Sequence, residues 1–143
     1  MPQRIIRTII ANQKVVTVAP DLSIAQAAKT MREARVGALL VVEGGRLAGI
    51  FTERDAVFRV LAEGRDAQST PVSAVMTADP LTIGPDKPFA HAMHIMHDNG
   101  FRHIPVVENG QPLGVLSARD ALGVESAQFE EDLVARDHLS EIL

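Results

Sequence analysis

One pattern occurs twice in the chain, and this duplication restricts the fold more than any other feature of the sequence. The stretch GIFTERD at residues 49–55 returns as GVLSARD at residues 114–120, 65 positions later. The same offset aligns residues 36–57 with residues 101–122 without a gap. A fixed period of this kind indicates repeated supersecondary units that bury a core together. We therefore predict a tandem duplication whose seam lies near residues 63–71, a stretch with the composition of a linker.

Each repeat carries the same order of secondary-structure signals. A short apolar strand leads to a Pro-Asp pair, in which Asp21 or Asp86 can cap the helix that follows. A second apolar strand, a Gly-Gly or Asn-Gly hairpin turn and a third strand come next. The hydroxyl of Thr52 or Ser117 then begins a final helix. The pattern predicts an α/β (α+β) fold of two strand-helix-strand-strand-helix repeats, which pack on each other because one repeat cannot cover both faces of its sheet.

Composition and charge narrow the classes of function. The 143 residues include no cysteine, which excludes disulfides, thiolate metal sites and cysteine nucleophiles. The net charge of −4 and the lack of tryptophan and tyrosine make nucleic-acid binding a poor fit. The first residues contain no long apolar run and no cleavage site, so we expect no signal peptide, no membrane span and a soluble, cytoplasmic protein.

The repeated hydroxyl and aspartate have two explanations. In a capping box, Thr52 or Ser117 caps a helix while Asp55 or Asp120 reaches back to the backbone. Aspartate is, however, shorter than the glutamate or glutamine that this motif prefers. In the alternative, the carboxylate accepts hydrogen bonds from a vicinal diol such as that of ribose, and the hydroxyl and helix N-terminus bind a phosphate. The apolar strands would then form the walls around a flat base.

On these motifs the chain resembles a pair of cystathionine beta-synthase (CBS) domains, also called a Bateman module, over about residues 8–125. The resemblance is carried by VTVAPD, LTIGPD, VSAVMTADP, FRHIPVV and the two copies of G-x-x-S/T-x-x-D. It implies a pseudo-two-fold pair of repeats that binds an adenosine-containing ligand, with AMP first and ADP, ATP, NAD or S-adenosylmethionine as alternatives. It also implies a homodimer that regulates a separate protein partner in signal transduction and does not itself catalyse a reaction.

The resemblance further implies roles for particular side chains. Asp55 and Asp120 would bind ribose hydroxyls, and Thr52 and Ser117 would lie near ribose or phosphate. The basic residues expected near phosphate are Arg54, Arg102, His103 and Arg119. The residues expected around adenine are Thr17, Val18, Thr82, Ile83 and Ile104.

The two repeats differ at one pair of positions. Arg102 and His103 of the second repeat align with Gly37 and Ala38 of the first. Only the second repeat therefore supplies this additional positive charge, and we expect the two sites to be unequal. The sequence predicts that a charged nucleotide prefers the site built around Asp120.

Chain order divides the sequence into three segments. These are a first repeat with the N-terminal segment (1–68), a second repeat (69–126) and an amphipathic C-terminal helix (127–143). The C-terminal helix is expected either to cap its own domain or to contact a second copy or a partner.

Two further patterns are interpreted as structural. His91, His94 and His97 are not spaced to share one helix face, so we expect a solvated helix edge and no metal site. No third group accompanies Ser117 and His103 to complete a catalytic set, so we expect no enzyme activity. A scaffold for protein interaction that binds no nucleotide is the alternative function.

Overall fold

Two β-hairpins, one from each repeat, form the centre of the fold. The computed structural model describes residues 4–142. The helices are α1 (Ile6–Ile10), α2 (Ile24–Ala34), α3 (Glu53–Asp55), α4 (Phe89–Asn99) and α5 (Gly123–Ile142). The strands are β1 (Thr17–Val18), β2 (Ala38–Glu43), β3 (Arg46–Thr52), β4 (Thr77–Ala78), β5 (His103–Glu108) and β6 (Gln111–Ser117). This arrangement confirms the predicted α/β class.

The first repeat forms a four-stranded sheet in the order β1-β2-β3-β4. The hairpin β2-β3 is antiparallel and β1 lies parallel to β2. The apolar face of α2 buries Ile24, Ala27 and Met31 against this sheet. Ser23, and not Asp21, caps α2, because its side-chain oxygen accepts a hydrogen bond from the backbone N–H of Gln26 at 3.1 Å.

The second repeat has the matching hairpin β5-β6, but its first strand is reduced. Ile83 makes a single parallel bridge to Val106, so the predicted strand over residues 81–83 is shorter than expected. Asp86 does not cap α4; its carboxylate instead accepts hydrogen bonds from the guanidinium of Arg7 at 2.9 and 3.2 Å. Gly100 ends α4 with a φ of 72°, which favours glycine.

The final helices of the two repeats differ most. After Thr52, α3 continues directly as a π-helix over Ala56–Leu61. After Ser117, the chain makes only a 3-10 turn, turns extended at Ala121 and begins α5 at Gly123. The predicted tail helix and the predicted last helix of the second repeat are therefore one helix, Gly123–Ile142. None of the helices described is long and apolar enough to cross a membrane.

Each repeat packs with a short segment that lies, in chain order, just before the other repeat. The segment before the first repeat joins the second, and the segment before the second repeat joins the first. Ile6 and Ile10 of α1 are buried in the core of the second repeat, beside Phe89 and Leu116. In the other direction, β4 pairs with β3 of the first repeat. The division by chain order placed the N-terminal segment with residues 1–68, whereas the apolar side chains of α1 pack in the second core. A third cluster joins the two hairpins, with Leu40 and Ile50 of the first repeat against Val115 of the second.

Candidate functional site

The larger of two clefts between the repeats contains the first copy of the motif. It has a volume of about 720 Å³ and is lined by residues 52–55 at the end of β3. Its opposite wall comes from the second repeat, namely residues 79–81 and residues 99–103. The π-helix adds Phe58 and Arg59.

The smaller cleft is the pseudo-symmetric counterpart of the larger one. It has a volume of about 150 Å³ and is lined by Ser117, Arg119 and Asp120 of the second repeat. Its opposite wall comes from the first repeat, residues 14–16 and 36–38, which are the positions 65 residues before 79–81 and 101–103. The motif of one repeat therefore faces the strands of the other repeat in both clefts.

Both aspartates close a capping box. The Oδ2 atom of Asp55 accepts hydrogen bonds from the backbone N–H and the hydroxyl of Thr52, at 2.9 and 3.1 Å. The Oδ2 atom of Asp120 accepts one from the backbone N–H of Ser117 at 2.8 Å. This geometry fits the structural explanation of the motif, and it engages only one oxygen of each carboxylate.

The second oxygens of the two carboxylates have different surroundings. Asp55 Oδ1 lies 3.5 Å from Nε of Arg59, four residues later, and the Asp55 side chain is only 12% exposed. For Asp120 Oδ1, residues 4–142 supply no hydrogen-bond donor, and the residue four positions after Asp120 is a valine. Within the described residues, Oδ1 of Asp120 is thus available to accept a hydrogen bond from a ligand hydroxyl. Oδ1 of Asp55 instead faces the guanidinium of Arg59.

More arginines line the larger cleft than the smaller one, and the carboxylates of Glu53, Asp55 and Asp79 line it too. Arg54, Arg59 and Arg102 all line it, whereas the smaller cleft has Lys14 and Arg119. The sequence predicted that Arg102 belongs to the site around Asp120; the structure puts it in the cleft with Asp55. The physical reason is that the clefts form between the repeats, so a residue just before β5 faces the motif at the end of β3.

His103 belongs to the walls of both clefts. Burial lowers its pKa below the usual value; the charges of Arg119 and Arg102 lower the pKa further, and Glu53 and Asp120 oppose them. The neutral form of the imidazole is consequently favoured. Gly37 makes room for it, since a Cβ at that position would lie 3.3 Å from His103 Nε2 and 3.0 Å from Glu53 Oε1.

The residues predicted around adenine lie outside the linings of both clefts in the described chain. Thr17 and Thr82 are exposed, and Val18 packs against the core of the first repeat. Ile83 and Ile104 are buried in the core of the second repeat.

Sequence reasoning instead missed the apolar residues that do line the clefts. Five of them stand one to three positions before a predicted residue: Val15, Val16, Pro80, Leu81 and Phe101. The motif VSAVMTADP, which runs up to Pro80, was the available signal for part of this wall.

The C-terminal helix caps its own domain by packing on α4. The ring of Phe129 lies edge-on to His94 and His97, with centroids 4.9 and 5.4 Å away. Arg136 pairs with Asp98 at 2.9 Å. His94 is therefore covered by α5 and is not on a solvated edge as predicted. Within residues 4–142, no group of histidine and acidic side chains is arranged to hold a metal ion.

Comparison with known proteins agrees with the geometry. The family model described as the CBS domain matches residues 6–62 and 72–126. A 17.7 kDa protein of Acidianus ambivalens is 42% identical over 126 residues, which cover 84% of this chain and 75% of the relative.

Two solved structures of this fold contain ligands. The CBS domain pair of protein MJ0100, in complex with 5′-methylthioadenosine and S-adenosyl-L-methionine, has a TM-score of 0.74 and 25% identity and covers 83% of this chain and 93% of that one. A CBS domain protein from Pyrobaculum aerophilum complexed with AMP has a TM-score of 0.79, covers 90% of this chain and 99% of that one, and at 23% identity shares the fold. With two matched copies, one over each repeat, the chain belongs to the CBS domain family as a tandem pair.

Proposed function

We propose that this chain is a regulatory module that binds an adenosine-containing ligand in the clefts between its two CBS repeats. The observation that carries the proposal is the pairing in each cleft of an aspartate and a hydroxyl at the end of a strand with basic side chains and apolar walls. A carboxylate suits a ribose diol, arginines suit phosphate, and apolar side chains suit a base. The complex of the MJ0100 pair with two adenosine derivatives supports this choice of ligand class.

AMP is the first ligand that we propose, with ADP, ATP, NAD and S-adenosylmethionine as the alternatives. The larger cleft suits a phosphate-bearing ligand best, because Arg54, Arg59 and Arg102 line it together. A planar guanidinium can donate two parallel hydrogen bonds to a phosphate, so these arginines offer donors to an anionic ligand beside the carboxylates of Glu53, Asp55 and Asp79. The smaller cleft, with Lys14 and Arg119, suits a smaller or less charged ligand.

Regulation would follow from the position of the clefts between the repeats. A ligand that contacts both repeats stabilises one relative arrangement of them, and it shifts that equilibrium only by its difference in affinity between the arrangements. We propose that a separate protein or a second copy of the chain responds to this shift. Val57 and Leu61 of the π-helix are 49% and 74% exposed and offer an apolar surface for a homodimer, which sedimentation equilibrium would measure.

The closed capping boxes favour a second candidate function. Because Asp55 and Asp120 each stabilise the backbone of their own turn, both can be explained without a ligand. The chain would then be a CBS-fold scaffold for protein interaction.

Thermal unfolding with a panel of AMP, ADP, ATP, NAD, S-adenosylmethionine and GTP separates the two candidates. A ligand at a hundred times its dissociation constant adds about 2.7 kcal/mol to the stability. For a domain of this size the midpoint should rise on the order of ten degrees. The variants Asp55→Asn and Asp120→Asn keep a side-chain oxygen for the capping box, so they should fold and lose part of the shift. If no adenosine-containing ligand raises the midpoint of the wild type, the scaffold replaces the sensor.

A further inference from the structure

Arg59 engages the carboxylate oxygen of Asp55 that a ribose would need. Its Nε atom lies 3.5 Å from Asp55 Oδ1, and its Nη1 atom donates to the backbone carbonyls of Val75 and Met76, both at 3.1 Å. The other oxygen, Oδ2, is held by Thr52. Both carboxylate oxygens of Asp55 therefore face a donor from the protein itself.

A ribose diol at Asp55 has to compete with this guanidinium. An uncharged nucleoside brings no group that attracts Arg59 elsewhere. A phosphate does, because arginine binds phosphate through charge-assisted and often bidentate hydrogen bonds. The phosphate would also be attracted to Arg54 and Arg102 in the same cleft. The Arg59 side chain is 51% exposed, so it is free enough to move toward an anion in the cleft.

We propose that Arg59 makes the larger cleft selective for phosphorylated nucleosides by holding Asp55 until a phosphate draws the guanidinium away. The proposal rests on the proposed function, since it concerns the same cleft. It does not extend to the smaller cleft, where the residue four positions after Asp120 is a valine and Oδ1 has no donor from residues 4–142. The smaller cleft should consequently accept an uncharged nucleoside without this competition.

Titration calorimetry with adenosine and AMP tests the proposal. The Asp120→Asn background confines strong binding to the larger cleft. There, Arg59→Gln keeps an amide donor for the carbonyls of Val75 and Met76 but removes the charge. Adenosine should bind about threefold more tightly, because an exposed ion pair no longer competes. AMP should bind about tenfold more weakly, because a charge-assisted contact to phosphate is lost. The preference for AMP should fall by about thirtyfold in total.

Arg54→Gln is the matched control. Arg54 lines the same cleft, stacks on the Phe58 ring at 5.3 Å and bonds the carbonyl of Gly100 at 3.3 Å, without contacting Asp55. Its replacement should weaken AMP, and it should not make adenosine bind more tightly, because Arg54 does not compete for Asp55. If Arg59→Gln leaves adenosine unchanged or weakens it while AMP still binds, Arg59 is an ordinary phosphate contact and the proposal is overturned.

A second variant keeps the test valid if Arg59→Gln does not fold. Arg59→Lys retains the charge but has no Nε donor toward Asp55 and no planar fork for phosphate. Adenosine should again gain affinity, and the loss for AMP should be smaller than with glutamine. An unchanged adenosine affinity in both variants refutes the role of Arg59. If the Asp120→Asn parent binds neither AMP nor adenosine although it is folded, the proposed function of the larger cleft fails together with this inference.

Discussion

Replacing Arg102 tests which aspartate shares a cleft with this side chain. The sequence alone assigned Arg102 to the site around Asp120, and the structure assigns it to the cleft around Asp55. Arg102→Ala should therefore weaken AMP only where Asp55 is intact. The two aspartates can be separated, since Asp55→Asn disables one cleft and Asp120→Asn disables the other.

The size of the effect follows from exposure. A hydrogen bond to a charged group contributes about 1.5–3 kcal/mol, whereas an exposed ion pair contributes about 0–1 kcal/mol. Arg102 is exposed and lines the cleft, so we expect a loss near 1.4 kcal/mol, which is roughly tenfold in affinity.

The affinity for AMP is measured by titration calorimetry in Asp120→Asn, in Asp55→Asn and in each of these combined with Arg102→Ala. In the Asp120→Asn background, Arg102→Ala should raise the dissociation constant about tenfold. In the Asp55→Asn background, the same replacement should change it by less than about twofold, because Arg102 does not line the smaller cleft. The opposite pattern would refute the pairing of Arg102 with Asp55 and restore the assignment made from sequence.

Two further predictions concern the fold around the clefts. Gly49→Ala puts a Cβ 2.8 Å from the backbone carbonyl of Thr77, so it should destabilise the protein by about 1–3 kcal/mol in urea unfolding. Gly84→Ala is its control, since no atom lies within 4 Å there and the stability should change by less than about 0.5 kcal/mol; equal effects would contradict the close pairing of β3 and β4. Burial lowers the pKa of His103, so the folded state binds fewer protons than the unfolded state and the stability should fall as the pH drops below about 6.5. Urea unfolding at pH 7.5 and 5.5 should show a smaller loss for His103→Gln than for the wild type, and an equal or larger loss would show that His103 is not held neutral.

The duplication was readable because both repeats keep the same spacing of strands, turns and motif. The hairpins β2-β3 and β5-β6 lie where the apolar runs and the Gly-Gly and Asn-Gly turns predict them. The constant offset of 65 residues shows that both repeats have the same order of elements. It does not show which elements of one repeat contact which elements of the other. The pairing of Arg102 with Asp55, and the packing of α1 in the second core, depend on that contact and were not predictable.

A helix continues directly after the first motif but not after the second, and the reason lies in residues outside the repeated pattern. Gly123 stands where the first repeat has Phe58, and a glycine inside a helix costs about 1 kcal/mol relative to alanine. Glu125 then offers a new start, because its carboxylate accepts from the backbone N–H of Leu122 at 3.0 Å and pairs with Arg4. The chain leaves the helical path after Asp120 and begins α5 three residues later, at Gly123.

The most direct test of the central claim is a crystal structure of the protein grown with AMP. The account predicts AMP in the larger cleft, with its ribose hydroxyls within hydrogen-bonding distance of the Asp55 carboxylate and its phosphate between Arg59 and Arg102. AMP bound outside both clefts, or clefts without AMP at saturating concentration, would contradict the claim that these repeats form a nucleotide sensor.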